Sequence, residues 1–443
     1  MYDLAVIGGG SGGLALSKRA AAVYGKKVLL VEKDAMGGTC VNTGCIPKKM
    51  LYNLASLNTE GKCLYGDQKT EHNWKEFREK RDKYIHFLNE MYIKRNEKDE
   101  VTTAKGTAVI GKDSINVGED IYAAKVTVLA MGSRPSTLEC TGKENFMTSD
   151  DFFKFDEVPA SIVIIGTGYI AIETACVLQE FGCKVTLVAR RTGVLRAFDE
   201  MIQKGVQDSL MRKGIRLIEK VTVTHVEKVS EGVRITLASE SGSEIISAEK
   251  VICAIGRHAN TEAVMNPEIK KTQYGFIDTD DFFQTTYRNV YAIGDITMDQ
   301  HMLTPVAIFC GRRLADYLYK NTVKRTLKEL VQSVPTVVFS YPPAGSVGYT
   351  EEQARNIKDS VSVKEFQLFH PASLFSSQKN TYKFIVCNET SEICGIHVYG
   401  YECDEILQGY SVLVRNNITY PQMSEYFQSI GADPYDILSG VFE

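Results

Sequence analysis

A chain of 443 residues, 44% hydrophobic and 24% charged, is long enough for two to four domains with sizeable cores and has the composition of a globular protein. A net charge of −4 argues against a polyanion partner or an electrostatic membrane anchor, so neither nucleic acid nor membrane is expected as a partner. No uncharged apolar run reaches the roughly 18 residues of a membrane span, and eleven cysteines, an odd count, do not suit a secreted disulfide framework. A reducing compartment fits, and a cytoplasmic location is expected.

The first predicted element is a strand, Tyr2–Ile7, which leaves no room for a signal or transit peptide ahead of it. It runs into Gly8-Gly9-Gly10-Ser11-Gly12-Gly13 and then a helical pattern. Gly8, Gly10 and Gly13 make a G-x-G-x-x-G fingerprint, in which glycines let the backbone turn tightly and approach a pyrophosphate at a helix N-terminus. A second strand, Lys27–Val31, is closed by Glu32, whose carboxylate can accept hydrogen bonds from an adenosine ribose.

Next comes Gly37-Gly38-Thr39-Cys40-Val41-Asn42-Thr43-Gly44-Cys45-Ile46-Pro47-Lys48-Lys49. Two cysteines at this spacing can close a small redox-active disulfide and, beside a flavin, pass two electrons to another disulfide. The spacing by itself also fits two unrelated buried thiols. Zinc sites use paired cysteines too, but usually closer ones with a second pair further on, and the other nine cysteines here are scattered.

A heavily charged helix is expected over Trp74–Arg95. The opening pattern then recurs: Ile162–Ile165 runs into Gly166-Thr167-Gly168-Tyr169-Ile170-Ala171, and Lys184–Val188 follows. Strand, glycine turn, helix and strand, twice over, is the unit of a doubly wound nucleotide-binding sheet. The second copy lacks an acid after its second strand and reads Ala189-Arg190-Arg191, with Arg196 slightly later. Arginines there suit a phosphate on the ribose and favour NADP(H) over NAD(H), although a solvated basic turn would look the same. Arg234–Ile246 and Lys250–Ala254 look like further strands. After Pro335 come strands Thr336–Phe339, Lys383–Val386 and Gly395–Val398, then amphipathic helices, which mark a final domain.

On these residues the chain resembles the flavin-dependent pyridine nucleotide–disulfide oxidoreductases, and within them it is most similar to the glutathione reductases. The likeness covers nearly the whole chain. It rests on the G-G-T-C-V-N-T-G-C-I-P-K-K segment, on Ala254–Arg257, Ala292–Asp295 and Leu303–Ile308, and on Pro335–Pro343 and Cys403–Gly409. The resemblance implies an α/β fold of two doubly wound, Rossmann-like nucleotide-binding domains plus an α+β C-terminal dimerisation domain. The implied divisions are an FAD-binding domain at 1–136, an NADPH-binding domain at 137–260, a central domain at 261–332 that completes the FAD domain, and an interface domain at 333–443. Family members are homodimers whose active site spans both subunits.

The resemblance also implies roles. Asp295 would hold the flavin ribitol, and Thr304 would sit at a helix N-terminus under the flavin. Ser11 and Thr39 join Gly8, Gly10, Gly13, Glu32, Cys40 and Lys48 as flavin contacts. Lys48 would pair with Glu173 near the flavin's reactive nitrogen. Tyr169 would cover the nicotinamide pocket until NADPH displaces it. Gly166, Gly168, Ile170, Glu173, Arg190, Arg196 and Gly256 complete the NADPH site. Cys45 would face the flavin, and Cys40 would attack the substrate disulfide. Lys18 or Arg19, Tyr84 and Tyr92 fall where glutathione reductases carry a basic residue and tyrosines near glutathione, positions that ordinary helix packing also explains.

The pattern breaks at the C-terminal end. Family members carry a His-Pro-Thr motif and a glutamate there, and the histidine protonates the leaving thiolate. This chain has no histidine after His397 and reads Ser429-Ile430-Gly431-Ala432-Asp433-Pro434-Tyr435-Asp436. Aligned on the proline, Asp433 takes the histidine's place, with Tyr435 nearby. Burial beside a thiolate would raise an aspartate into the range of a useful acid, while the turn preferences of an aspartate before proline favour the plainer reading, that Asp433 merely starts a turn. Mercuric ion reductases also lack this histidine, but carry a C-terminal cysteine pair that is absent here. The second redox pair of high-molecular-weight thioredoxin reductases is absent as well. Phe369–Lys383 lacks the arginine expected to meet a glutathione carboxylate; Ser376 or a neighbour replaces it, with Lys379 close by.

The expected function is an NADPH-dependent, FAD-containing reductase of a small disulfide, glutathione disulfide first. One alternative keeps the electron input and changes the acceptor to a metal ion or quinone. Another is a nucleotide-binding relative with little disulfide turnover. No metal site is expected.

Overall fold

The computed structural model describes the chain except for residues 66–72, 113, 298–300, 321–332, 371–378 and 430–443; for 58–65 and 427–429 it describes the backbone alone. The chain divides into two compact units. The first comprises Met1–Met50, Asn73–Ser136 and Gly256–Val331, and the second Leu51–His72, Thr137–Ile255 and Gln332–Glu443.

The first unit is built on a five-stranded parallel sheet ordered Val290–Ala292, Ala124–Leu129, Tyr2–Ile7, Val28–Glu32, Thr102–Lys105. Its central strands read as unbroken apolar runs because both faces are covered; Leu4, Ala5, Val6, Leu29 and Leu30 are fully buried. One face packs Ala5, Ile7, Leu29, Val31 and Leu129 into a core. The Ser11–Tyr24 and Thr304–Lys320 helices cross through glycine, for a Cβ on Gly311 would lie 2.4 Å from the Gly12 carbonyl oxygen. Asp316 ties the two helices together by accepting from Arg19 Nε (2.5 Å) and Tyr24 Oη (2.6 Å). The expected charged helix runs Trp74–Lys98, capped by Asn73; only Trp74, Arg81, Leu88 and Asn96 are buried, a stripe narrow enough to leave the rest charged.

The second unit repeats the plan. Its parallel sheet is ordered Arg216–Ile218, Lys184–Val188, Ser161–Ile165, Lys250–Cys253, Met147–Thr148. In both sheets the strand order reverses beside the first strand, and each glycine turn leaves the sheet at that reversal, where α/β sheets bind ligands. The stretch expected as one strand, Arg234–Ile246, is instead a hairpin. Gly232–Ser239 pairs antiparallel with Gly242–Ala248 and also with Thr222–Val229, because the chain turns at Ser239–Gly242. The unit also holds an antiparallel sheet ordered Thr336–Val338, Ala344–Gly348, Ile393–Tyr399, Asn380–Cys387, Val361–Leu368. The Cys403–Arg415 helix covers it with Cys403, Leu407 and Tyr410, which recur at helical spacing and join one core with Tyr382, Phe384 and Ile396. The α/β class with an α+β C-terminal part is the architecture expected from the sequence.

Candidate active site

In the first unit the glycine turn is shaped by contact. Gly8 has φ +110°, and a Cβ there would lie 2.3 Å from the Ala130 carbonyl oxygen across the strand reversal. A Cβ on Gly13 would meet the Gly8 carbonyl oxygen at 1.9 Å, so helix and strand touch through bare backbone. Gly10, by contrast, has space beside it, and it begins the Ser11–Tyr24 helix with no side-chain cap. The helix therefore offers its first N–H groups and Ser11, half-buried, to an incoming anion. Glu32 ends the second strand; its carboxylate accepts from the Gly9 N–H (2.6 Å) and the Asp34 N–H (2.7 Å). A carboxylate has about four lone-pair positions, so two remain for ribose hydroxyls.

The redox segment lies on this turn. Gly37 N–H donates to the Gly9 carbonyl at 2.9 Å, and Gly38, at φ +61°, comes so close to Gly10 that a Cβ would be 2.8 Å from its Cα. Asn42 donates to the Gly38 carbonyl (2.9 Å), while Asn89 donates to the Met36 carbonyl (2.7 Å) and to Asn42 Oδ1 (3.0 Å), clamping the segment from the Trp74–Lys98 helix. Thr39, exposed, and Cys40, half-buried, stand on the short Gly38–Asn42 helix; Cys45 opens the Cys45–Tyr65 helix, one turn ahead of Lys48.

Both cysteines are thiols, and their side chains hydrogen bond to each other. Cys45 Sγ is also 3.6 Å from Thr304 Oγ1, and Thr304 is the first residue of the 17-residue Thr304–Lys320 helix. Two helix N-termini thus converge on the sulfur pair, the setting that stabilises a thiolate. The Cys40 thiol is pushed well up, first by its hydrogen bond to Cys45 and then by burial, against the pull of Thr304 and Lys48. The two thiols therefore resist being ionised together. Tyr92 is half-buried near Cys40, and burial, then the thiolate's charge, raise its phenol; Tyr84 is 45% exposed and stacks on Phe87. Arg19 is committed to Asp316, so of the two basic candidates Lys18 is the exposed one.

Asp295 lies in the Gly294–Ile296 turn at the end of the sheet's last strand. Its Oδ2 accepts from Ser133 Oγ at 2.9 Å; Ser133 in turn accepts from Arg257 Nε at 2.8 Å and its carbonyl from the same guanidinium. Burial raises the Asp295 carboxyl, opposed by Ser133 and Arg257. Neither supporter was singled out from the sequence. Arg257 sits inside the Ala254–Arg257 motif, the one signal that could have found it; Ser133 is 162 residues from Asp295 and has none.

In the second unit Gly166, φ +124°, repeats Gly8, since a Cβ would lie 2.3 Å from the Ala254 carbonyl oxygen. Gly168 has open space and begins the Tyr169–Glu180 helix without a side-chain cap. Tyr169 is 38% exposed at the helix start, followed by half-buried Ile170. Glu173, one turn on, is 3% exposed, and its Oε1 accepts from the Phe339 N–H at 3.0 Å. Arg190, Arg191 and Arg196 are all exposed on one loop, and no described carboxylate pairs with them. Gly256, φ +134°, begins the last segment of the first unit, its carbonyl accepting from the Ser136 N–H. Lys48 belongs to the first unit and Glu173 to the second. Asp433, Tyr435 and Ser376 lie outside the described residues. Among the described residues no group of three metal-ligating side chains occurs, and no helix is long and apolar enough to cross a membrane.

Residues 2–311 match the family model for pyridine nucleotide-disulphide oxidoreductases, and residues 334–434 match that family's dimerisation domain. The chain belongs to the pyridine nucleotide-disulphide oxidoreductases. It is 34% identical to a glutathione reductase of Yarrowia lipolytica over 94% of each chain, and 35% identical to a glutathione reductase of a Nostoc species over 98% of this chain and 97% of that one. Members of this family use FAD and a pyridine nucleotide, and the two glycine turns fit two such cofactors. The first, with Glu32 and the supported Asp295 carboxylate, suits the ribose and ribitol hydroxyls of FAD. The second, with no acid at that position and three exposed guanidiniums that pair with no described carboxylate, suits the nucleotide. The dimerisation domain is the part through which such an oxidoreductase pairs with a second copy.

Proposed function

We propose that this oxidoreductase is an NADPH-dependent reductase of glutathione disulfide or a close low-molecular-weight disulfide. The hydrogen-bonded Cys40–Cys45 pair, set under two helix N-termini and on the first glycine turn, carries the proposal. Two relatives about one-third identical are glutathione reductases, which favours that disulfide. The exposed Arg190 and Arg196 favour a 2′-phosphorylated nucleotide, because a guanidinium fork matches phosphate oxygens. Residues 1–136 and 261–332 would hold FAD, 137–260 the nucleotide, and 333–443 the second copy of a homodimer. The cytosol is the compartment we assign, since an odd count of eleven cysteines does not suit a secreted disulfide framework.

FAD, when bound, accepts a hydride and supplies the electron pair that keeps Cys40 and Cys45 reduced. The chain's own residues do the rest. The Cys40 thiolate attacks one sulfur of the substrate disulfide; a Cys40–substrate disulfide forms, and the other half leaves as a thiolate that takes a proton. The Cys45 thiolate then attacks Cys40 Sγ, releases the second half and closes Cys40–Cys45. One disulfide is reduced to two thiols and one dithiol is oxidised, so the electrons balance. Thr304 and Lys48 favour the charge on the pair, and Tyr84 and Tyr92 line the approach to Cys40. Asp433 and Tyr435 are the groups proposed to protonate the leaving thiolate.

The missing histidine favours a second reading, an acceptor such as a metal ion or quinone that needs no protonated leaving thiolate. Steady-state NADPH oxidation by the FAD-loaded protein, with and without glutathione disulfide, separates the two. Rapid disulfide-dependent oxidation is expected; oxidation indifferent to the disulfide but stimulated by quinone or mercuric ion would overturn the first reading.

A further inference from the structure

Arg196 follows a strained residue. Leu195, 2% exposed, has φ +50°, a left-handed conformation that a leucine keeps only where its surroundings hold it. At the loop's entry the hold is local. Leu195 N–H donates to the Thr167 carbonyl (2.9 Å), Gly193 N–H to Glu219 Oε1 (2.6 Å), and Thr167 Oγ1 to the Gly193 carbonyl (3.2 Å).

At the loop's exit the hold comes from elsewhere in the second unit. Asp199 caps the Glu200–Arg212 helix by accepting from the Met201 N–H at 3.1 Å. A capping aspartate is ordinarily solvated. Asp199 is 2% exposed, and its Oδ1 also accepts from Lys383 Nζ at 2.8 Å, while Oδ2 accepts from the Glu351 N–H at 3.0 Å. Lys383 is 4% exposed, within the match to the dimerisation domain, and reaches Glu351 Oε2 at 2.7 Å as well. Arg355 pairs with the other Glu351 oxygen. Charges therefore alternate from surface to core: Arg355, Glu351, Lys383, Asp199. His397, fully buried, stands next, its Nε2 3.8 Å from Asp199 Oδ2. Burial lowers its pKa to about 4, so it stays neutral, donating from Nε2 to the Tyr349 carbonyl and accepting at Nδ1 from Ser346. Lys383 is the cation that meets the Asp199 carboxylate directly, and without it that buried charge loses its counterion.

We propose that Lys383 is a positioning residue for selection of the 2′-phosphate. Its buried bond to Asp199 fixes the exit of the Arg190–Phe198 loop, three residues past Arg196, and so sets where Arg196 presents its guanidinium. The inference rests on Arg190 and Arg196 being the 2′-phosphate site. It singles out NADPH because NADH uses the glycine turn but has no phosphate for the loop to grip.

The test is calorimetric binding of adenosine 2′,5′-bisphosphate and of NADH to the FAD-loaded dimer, which needs no turnover. Lys383→Met, and the charge-balanced pair Asp199→Asn with Lys383→Met where the single variant folds poorly, should weaken the bisphosphate about 3–10-fold and NADH less than about twofold. Lys383→Arg should restore most of the loss. Equal weakening of both ligands, or of neither, would overturn the positioning role while Arg190→Ala with Arg196→Ala still discriminates between them. If the arginine variant also fails to discriminate, the 2′-phosphate assignment falls first and the role of Lys383 with it.

Discussion

The two nucleotide modules share one backbone plan and differ in the charges that follow the second strand. Gly8 and Gly166 each stand 2.3 Å, as a hypothetical Cβ, from a carbonyl oxygen across the strand reversal. Gly8 N–H donates to the Val31 carbonyl and Gly166 N–H to the Val188 carbonyl, both at 2.8 Å. Ile7 pairs with Val31 and Ile165 with Val188, so Glu32 and Ala189 occupy the same register. There the modules part. The first places a carboxylate at this register; the second places a methyl group and follows it with Arg190. A carboxylate would repel a 2′-phosphate, and a guanidinium would have nothing to grip on a plain ribose. Backbone geometry is common to both, and under the proposed assignment the residue at this register, with the arginines that follow it in the second module, decides which ribose each accepts.

Three variants break or sharpen this contrast. Cys40→Ser removes only what the first module adds beyond nucleotide binding. Disulfide reduction should fall by at least roughly 10³-fold while NADPH still bleaches the flavin in a rapid-mixing experiment; unchanged turnover would sink the thiol mechanism. Arg190→Ala with Arg196→Ala should raise the NADPH KM about 10–100-fold, as two charge-assisted bonds at roughly 1.5–3 kcal/mol each would allow, and leave the NADH KM within about twofold. Parallel rises would refute the assignment. Glu32→Gln keeps an acceptor but loses the charge, so FAD retention through dialysis should weaken by about 3–10-fold, with NADPH binding untouched. A variant that kept flavin and lost NADPH would mean the two modules had been assigned the wrong way round.

The modules were legible in the sequence because a strand buried on both faces is written as a continuous apolar run. Tyr2–Ile7 and Lys184–Val188 read directly, each before or after a glycine turn. The Ser239–Gly242 turn was not, since Glu240-Ser241 carries no Asn-Gly signal and the run continued through it. Nor was Val361–Leu368, an edge strand whose half-exposed face breaks the apolar pattern. Within the site, the cysteine pair, both fingerprints and the arginines stand close together in the chain and announce themselves. Ser133 and Lys383 do not. Each acts through a partner more than 150 residues away, Asp295 in one case and Asp199 in the other, and only the fold brings such pairs together. Local chemistry is written locally; the residues that hold it in place are not.

The measurement that bears most directly on the central claim is a thiol count. The FAD-loaded protein, oxidised with glutathione disulfide and freed of it, is denatured and titrated with a thiol reagent before and after anaerobic NADPH. Two additional thiols per chain, absent in Cys40→Ser and in Cys45→Ser, are predicted. A reduced flavin with no additional thiols would contradict electron delivery to the Cys40–Cys45 pair.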